Sequence, residues 1–96
     1  MCTMDVLQAK RSDILAIAAR HGAGNVRVFG STSRGEAGPS SDVDLLIDVV
    51  GPTPPWFPGG LHADLEELLE RRVDLVISRS LSPLIRDNVL REAIPL

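Results

Sequence analysis

Gly30-Ser31-Thr32-Ser33-Arg34-Gly35, followed after a short polar spacer by Ser41-Asp42-Val43-Asp44-Leu45, is the stretch from which the fold can be read. Upstream, Val26-Arg27-Val28-Phe29 has the composition of a strand, and it ends at Gly30. Downstream, Asp42 to Val50 alternates: Val43, Leu45, Ile47 and Val49 are apolar, while Asp42, Asp44 and Asp48 hold the other parity, broken by Leu46 and by Val50 at the end. Side chains two apart share one face of a strand. One face is therefore packed and the other carries carboxylates. A second run, Val73-Asp74-Leu75-Val76-Ile77, repeats the pattern with Asp74 on the polar parity.

Asp42 and Asp44 stand roughly 6.6 Å apart along the backbone at about 3.3 Å per residue. With Asp74 on a neighbouring strand, three carboxylates can converge. A like-charged pair at about 4 Å repels by roughly 4 kcal/mol at an effective dielectric near 20, unless a proton or cation intervenes. Mg²⁺ suits such a site, because it prefers oxygen and is shared between a few carboxylates and substrate phosphates. Two such ions can stabilise the entering and leaving oxygens of an in-line displacement. The Gly30-Ser31 turn supplies the complementary part. A glycine lets backbone approach a ligand closely, free N–H groups at such a turn form an anion-binding concavity, and Ser31 adds a hydroxyl. Arg34 is a candidate for bidentate contact with phosphate oxygens.

Gly30-Ser31, a spacer of ten residues, Asp42-x-Asp44 and a later lone aspartate resemble the DNA polymerase beta-type nucleotidyltransferases. Arg34-Gly35, Ser41-Asp42, the small size and the segment Pro83-Leu84-Ile85-Arg86 to Arg91-Glu92-Ala93 narrow the resemblance to the minimal nucleotidyltransferases, the antitoxin partners of HEPN-domain toxins. The resemblance runs from about Val26 to Leu96. It implies Asp42, Asp44 and Asp74 as catalytic metal ligands, with Asp74 also as base, and Gly30 and Ser31 as the triphosphate turn. It implies Mg²⁺ and ATP, and transfer of AMP to a tyrosine hydroxyl of a HEPN toxin. The chain contains no tyrosine of its own, so a modified tyrosine belongs to another molecule. Two other readings stand beside this one. One is an antitoxin that neutralises its toxin by binding, without turnover. The other is a nucleotidyltransferase acting on RNA or on a small molecule.

Ninety-six residues, 44 % of them hydrophobic, make one folded domain over 1–96. A net charge of −3 with no basic run longer than a pair such as Arg71-Arg72 argues against direct nucleic-acid binding. No apolar run is long enough to span a membrane, and no signal-peptide pattern opens the chain. Cys2 is the sole cysteine, so no intrachain disulfide forms, and a cytoplasmic location is the default expectation.

The periodicity predicts a helix over Asp5 to Ala19, strands at Val26–Phe29 and Asp42–Val50, a helix over Leu61 to Arg71, a strand at Val73–Ile77 and a last helix capped by Ser82. Ser31 to Ser41 is expected as a loop or short helical turn. Four prolines and three glycines within 51–60 mark a loop. The fold class expected is α/β (α+β): a small mixed sheet, helices on one face, and an open acidic active-site face. Asp48 lies about 13 Å beyond Asp44 at strand rise and is expected to be solvated. His21 is expected to complement a helix C-terminus, and His62 to be exposed. Trp56 and Phe57, adjacent in the Pro/Gly stretch, are expected to pack or to dock a partner rather than to stack on a base.

Overall fold

The computed structural model describes residues 3–33 and 42–96. Arg34, and with it most of the spacer between Ser31 and Asp42, lies outside the described residues. Two N-terminal helices, α1 (Thr3–Ala9) and α2 (Arg11–Arg20), precede strand β1 (Ala23–Phe29) and the helical turn α3 (Gly30–Ser33). Strand β2 (Val43–Val49), helix α4 (Gly59–Leu69) and strand β3 (Val73–Ile77) follow. A 3₁₀ turn at Ser78–Ser80 leads to helix α5 (Pro83–Glu92) and a two-residue strand β4 (Ile94–Pro95). The sheet order is β3-β2-β1-β4, with β2 and β3 parallel and both other pairs antiparallel. The expected mixed sheet is present.

The alternation in β2 and β3 fixes which face is packed. Val43 pairs with Val73, Leu45 with Leu75 and Ile47 with Ile77, so the apolar parities of the two strands coincide. These residues join Val26 and Val28 of β1, Leu7, Ile14 and Ile17 of the N-terminal helices, and Leu61, Leu65 and Leu69 of α4 in one core. Fully burying such a side chain contributes about 1.5–3 kcal/mol. A register slip of one residue in β2 would turn that whole set outward and bring the aspartates in. The pattern therefore fixes the register.

The single helix expected over Asp5 to Ala19 is broken at Lys10, whose φ of −102° and ψ of 13° separate α1 from α2. Lys10 Nζ donates to the Leu68 carbonyl at 2.8 Å, tying the break to the last turn of α4, where a cation suits the helix dipole. Helix α4 is displaced from the expected span. It begins at Gly59 and ends at Leu69, with Glu70 left-handed at φ 53°. Strand β1 starts three residues earlier than expected, through an irregularity between Gly24 and Arg27. In α5, Ser82 caps as expected, its hydroxyl accepting from the Leu84 N–H at 3.3 Å. None of its residues is buried, however, and Leu84 and Ile85 are exposed. The aromatic pair divides. Phe57 packs on the core, whereas Trp56 is 71 % exposed.

Asp48 departs from its expected solvation. Asn25 Nδ2 donates to it at 2.7 Å and Arg27 Nη2 at 2.6 Å, and the Ser78 hydroxyl makes a short hydrogen bond to Oδ1. The Ser78 hydroxyl above all, then the Asn25 amide, and after them the Arg27 guanidinium hold its carboxyl below the usual carboxylate range, while burial acts the other way. A carboxyl whose folded pKa lies below its unfolded one adds stability above the unfolded value of about 4, and that contribution fades as the pH falls through the folded value. Asp48→Asn is accordingly expected to lower stability at neutral pH and to reduce the loss seen on acidification. Urea unfolding of both proteins at about pH 7 and about pH 3 measures this; an unchanged acid loss in the variant would remove Asp48 from the account.

Candidate active site

Phe29 pairs with Asp44, and Asp44 pairs with Asp74. The end of β1, the carboxylate of β2 and the carboxylate of β3 thus form one row across the sheet. Asp42 precedes β2 by one residue and shares the parity of Asp44, which places it on the same face. The Val43 N–H donates to the Arg72 carbonyl at 3.0 Å, so the segments bearing Asp42 and Asp74 are hydrogen-bonded where both strands begin. Asp42 and Asp74 are exposed, and Asp44 is half-buried. The row lies at the open end of the second sheet face. Further along that face Leu46 is fully buried, and Arg86 and Leu90 of α5 line a cleft with Arg27 and Asp48.

Gly30 shows why a glycine stands where β1 ends. Its φ is +70°, and a Cβ there would lie 3.0 Å from the Asp44 Cγ and overlap the carboxylate oxygen. Only a residue without a side chain lets this turn rest against the Asp44 carboxylate. Ser33 Oγ then donates to the Gly30 carbonyl at 2.8 Å, closing the turn. Ser31 follows Gly30 within α3. Thr32 is 3 % exposed, and its hydroxyl has no hydrogen-bond partner among the described residues.

The three aspartates are gathered by the backbone rather than clenched. Among the described residues no three ligand-type side chains are drawn together tightly enough to hold an ion. The fit to a hard divalent cation rests on the donor set and its placement: carboxylates only, two paired across adjacent strands and a third two residues along, with two of them exposed and able to turn toward the half-buried Asp44.

Sequence reasoning did not anticipate what secures the outer edge of β3. His62 Nε2 lies 2.6 Å from the Val73 carbonyl, and Glu66 Oε2 accepts from the Val73 N–H at 2.9 Å. Both polar groups of an edge residue are thereby satisfied from α4, and His62 is more than the exposed surface residue expected. The i, i+4 spacing of His62 and Glu66 on a helix was the one local signal available. His21 ends α2 as expected, its N–H bonding the Ala18 carbonyl at 3.0 Å, and its Nε2 also meets Asp64 Oδ2 at 2.9 Å.

Residues 12–96 match the family described as nucleotidyltransferase domain. The chain belongs to that family. Protein adenylyltransferase MntA of Thermococcus cleftensis is 44 % identical over 75 residues, covering 78 % of this chain and 76 % of that protein. A solved structure of a candidate minimal nucleotidyltransferase is 48 % identical and superposes with a TM-score of 0.85, covering 100 % of this chain and 97 % of the other. A toxin–antitoxin crystal structure with AMP-PNP shares the fold at a TM-score of 0.72 and 24 % identity, covering 92 % of this chain and 70 % of that one. The resemblance to minimal nucleotidyltransferases seen around Gly30, Asp42 and Asp44 thus extends over the whole nucleotidyltransferase domain. Among the described residues no helix is long and apolar enough to cross a membrane.

Proposed function

We propose that this chain transfers AMP from ATP to a hydroxyl, that of a tyrosine, on a cognate HEPN-domain toxin, and so acts as the antitoxin of the pair. The observation that carries this reading is the row Gly30–Asp44–Asp74, in which a turn suited to phosphate lies against one carboxylate and a second carboxylate lies on the opposite flank. The similarity to a protein adenylyltransferase, and to an antitoxin fold solved with a nucleotide analogue, supports ATP and a protein acceptor.

In this reading the Gly30-Ser31 turn holds the triphosphate, with Arg34 as a further phosphate contact. Asp42, Asp44 and Asp74 would hold Mg²⁺, which supplies charge neutralisation for the phosphates when bound. Asp74 orients the acceptor hydroxyl and takes its proton. The acceptor oxygen bonds to the α-phosphorus, the bond from that phosphorus to the bridging oxygen breaks, and pyrophosphate departs toward the Gly30 turn. Catalysis of this kind consists of positioning and charge stabilisation. On the toxin, the new phosphate would repel an anionic RNA backbone and the adenosine would obstruct its approach.

Intact mass spectrometry of the purified toxin after incubation with this protein, ATP and Mg²⁺ tests the proposal. The toxin is expected to gain whole AMP units and lose ribonuclease activity together. Silencing without a mass change would favour the binding antitoxin. Asp74→Asn separates the steps further. Nucleotide binding by calorimetry is expected to persist, weakened, while transfer falls by about 10²-fold or more. Turnover near the wild-type rate would make Asp74 structural.

A further inference from the structure

The second face of the sheet carries more than the aspartates. Arg27 pairs with Leu46, and Leu46 and Asp48 share the parity of Asp44, so all of them point to that side. Helix α5 crosses the same side, because it begins beyond the 3₁₀ turn that follows β3 and delivers the chain to β4 beside β1. Between α5 and the end of the sheet opposite the aspartate row lies a cleft of about 490 Å³. Arg27, Asp48, Ser78, Arg79, Arg86 and Leu90 line it. It stands about 13 Å from Asp44 along β2, away from the reacting groups.

The charges in this cleft do not balance. Asp48 is taken by Arg27, at 2.6 Å, and by the Ser78 hydroxyl. Arg79 and Arg86 are exposed and make no hydrogen bond or ion pair with a described residue. Two guanidinium groups are thus left over in a chain whose net charge is −3. The apolar surface beside them is equally uncovered. No residue of α5 is buried, and Leu84 is 91 % exposed. Leu90, one turn beyond Arg86 on the same flank of the helix, is 38 % exposed and also lines an adjoining hollow with Asp87 and Arg91. A free phosphate would use the arginines and gain nothing from the leucines. A polynucleotide would need rings on which to stack its bases, and none of Phe29, Trp56 and Phe57 lines the cleft.

We propose that this cleft and the outer side of α5 dock an acidic segment of the partner protein, with carboxylates on Arg79 and Arg86 and apolar side chains on Leu90 and Leu84. The proposal rests on the protein-acceptor reading above and adds to it a contact remote from the chemistry. A guanidinium fork matches a carboxylate in a bidentate way, and arginine is enriched at interface hot spots. The reach is sufficient. A stable interface covers about 800 Å² of each partner, a patch roughly 30 Å across. The longest dimension of this molecule is 34 Å. A protein seated on the aspartate row therefore extends over α5 and the cleft behind it.

The double variant Arg79→Glu with Arg86→Glu tests this directly, since both side chains are exposed and hold nothing in the folded chain together. Without nucleotide, it is expected to bind the purified HEPN toxin about 10-fold more weakly or worse in calorimetry. With ATP and Mg²⁺ it should show a raised KM for the toxin, while kcat, ATP affinity and melting temperature stay as in wild type. Added salt should weaken the wild-type complex more than the variant's. Arg11→Glu with Arg20→Glu makes the same charge change on α2, which packs on the opposite face, and is expected to bind the toxin as wild type does. Wild-type affinity and KM in the Arg79/Arg86 variant would overturn the docking surface. An equal loss in the α2 control would overturn it too, by assigning the effect to overall charge. Three further results would overturn it by naming another occupant. Loss of ATP affinity in the variant would give the cleft to the nucleotide. Self-association of the wild type that the variant lacks, seen by ultracentrifugation, would give it to a second copy. Binding of a labelled oligouridylate that the variant lacks would give it to RNA. A wild-type chain that binds the toxin through these arginines yet transfers no AMP would end the AMP-transfer reading and leave the docking surface standing. A chain that does not bind the toxin at all would end both.

Discussion

Asp44→Asn is expected to abolish nucleotide transfer and the thermal stabilisation by ATP with Mg²⁺, while leaving the protein folded. Asp44 is the shared member of the row: it pairs with Phe29 on one side and Asp74 on the other, and its carboxylate touches the Gly30 turn. Stabilising phosphoryl charge through a bound metal is worth several kcal/mol, and each 1.36 kcal/mol is about tenfold in rate, so a loss of about 10³-fold or more follows. Stability of the metal-free protein should hold or rise, because removing one carboxylate relieves repulsion from its neighbours. Calorimetric titration with ATP and Mg²⁺, beside a melting curve without them, checks both halves. Undiminished ATP binding by the variant would dismiss Asp44 as a metal-bearing group.

Gly30→Ala is expected to damage fold and function together. The backbone at φ +70° disfavours any side chain, and the added methyl would overlap the Asp44 carboxylate. Substituting alanine at a positive φ costs more than about 1 kcal/mol even where space is open, and here a carboxylate must also move. Denaturant unfolding should therefore show a clear loss of stability, and ATP binding should fall further than that loss explains. A variant with wild-type stability and ATP affinity would mean that the close approach of turn and carboxylate is incidental.

The row of aspartates was legible because its determinants are local and periodic. Asp42, Asp44 and Asp74 each sit on the polar parity of an alternating run, and alternation fixes a face before the partner strand is known. Gly30 was legible for a similar reason, as a glycine ending a strand. What escaped the sequence depends on residues far apart. A break at Lys10 interrupts a continuous helical pattern, and the Lys10 ammonium reaches the Leu68 carbonyl in another helix. Asp48 is held by Ser78, thirty positions away, as well as by Asn25 and Arg27. Strand β4 is two residues long and contains a proline, so no period could announce it; it exists because Ile94 and Pro95 lie beside Val28 and Arg27. Helix α4 starts inside the Pro/Gly stretch, at two glycines that usually punctuate a loop.

Isotope position within ATP tests the central claim most directly. The purified HEPN toxin is incubated with this protein and Mg²⁺, once with ATP labelled at the α-phosphate and once with ATP labelled at the γ-phosphate. The account predicts that label enters the toxin from the α position only, on a tyrosine, and that Asp42→Asn and Asp44→Asn prevent it. Label arriving from the γ position, or a toxin silenced with no label from either, would contradict it.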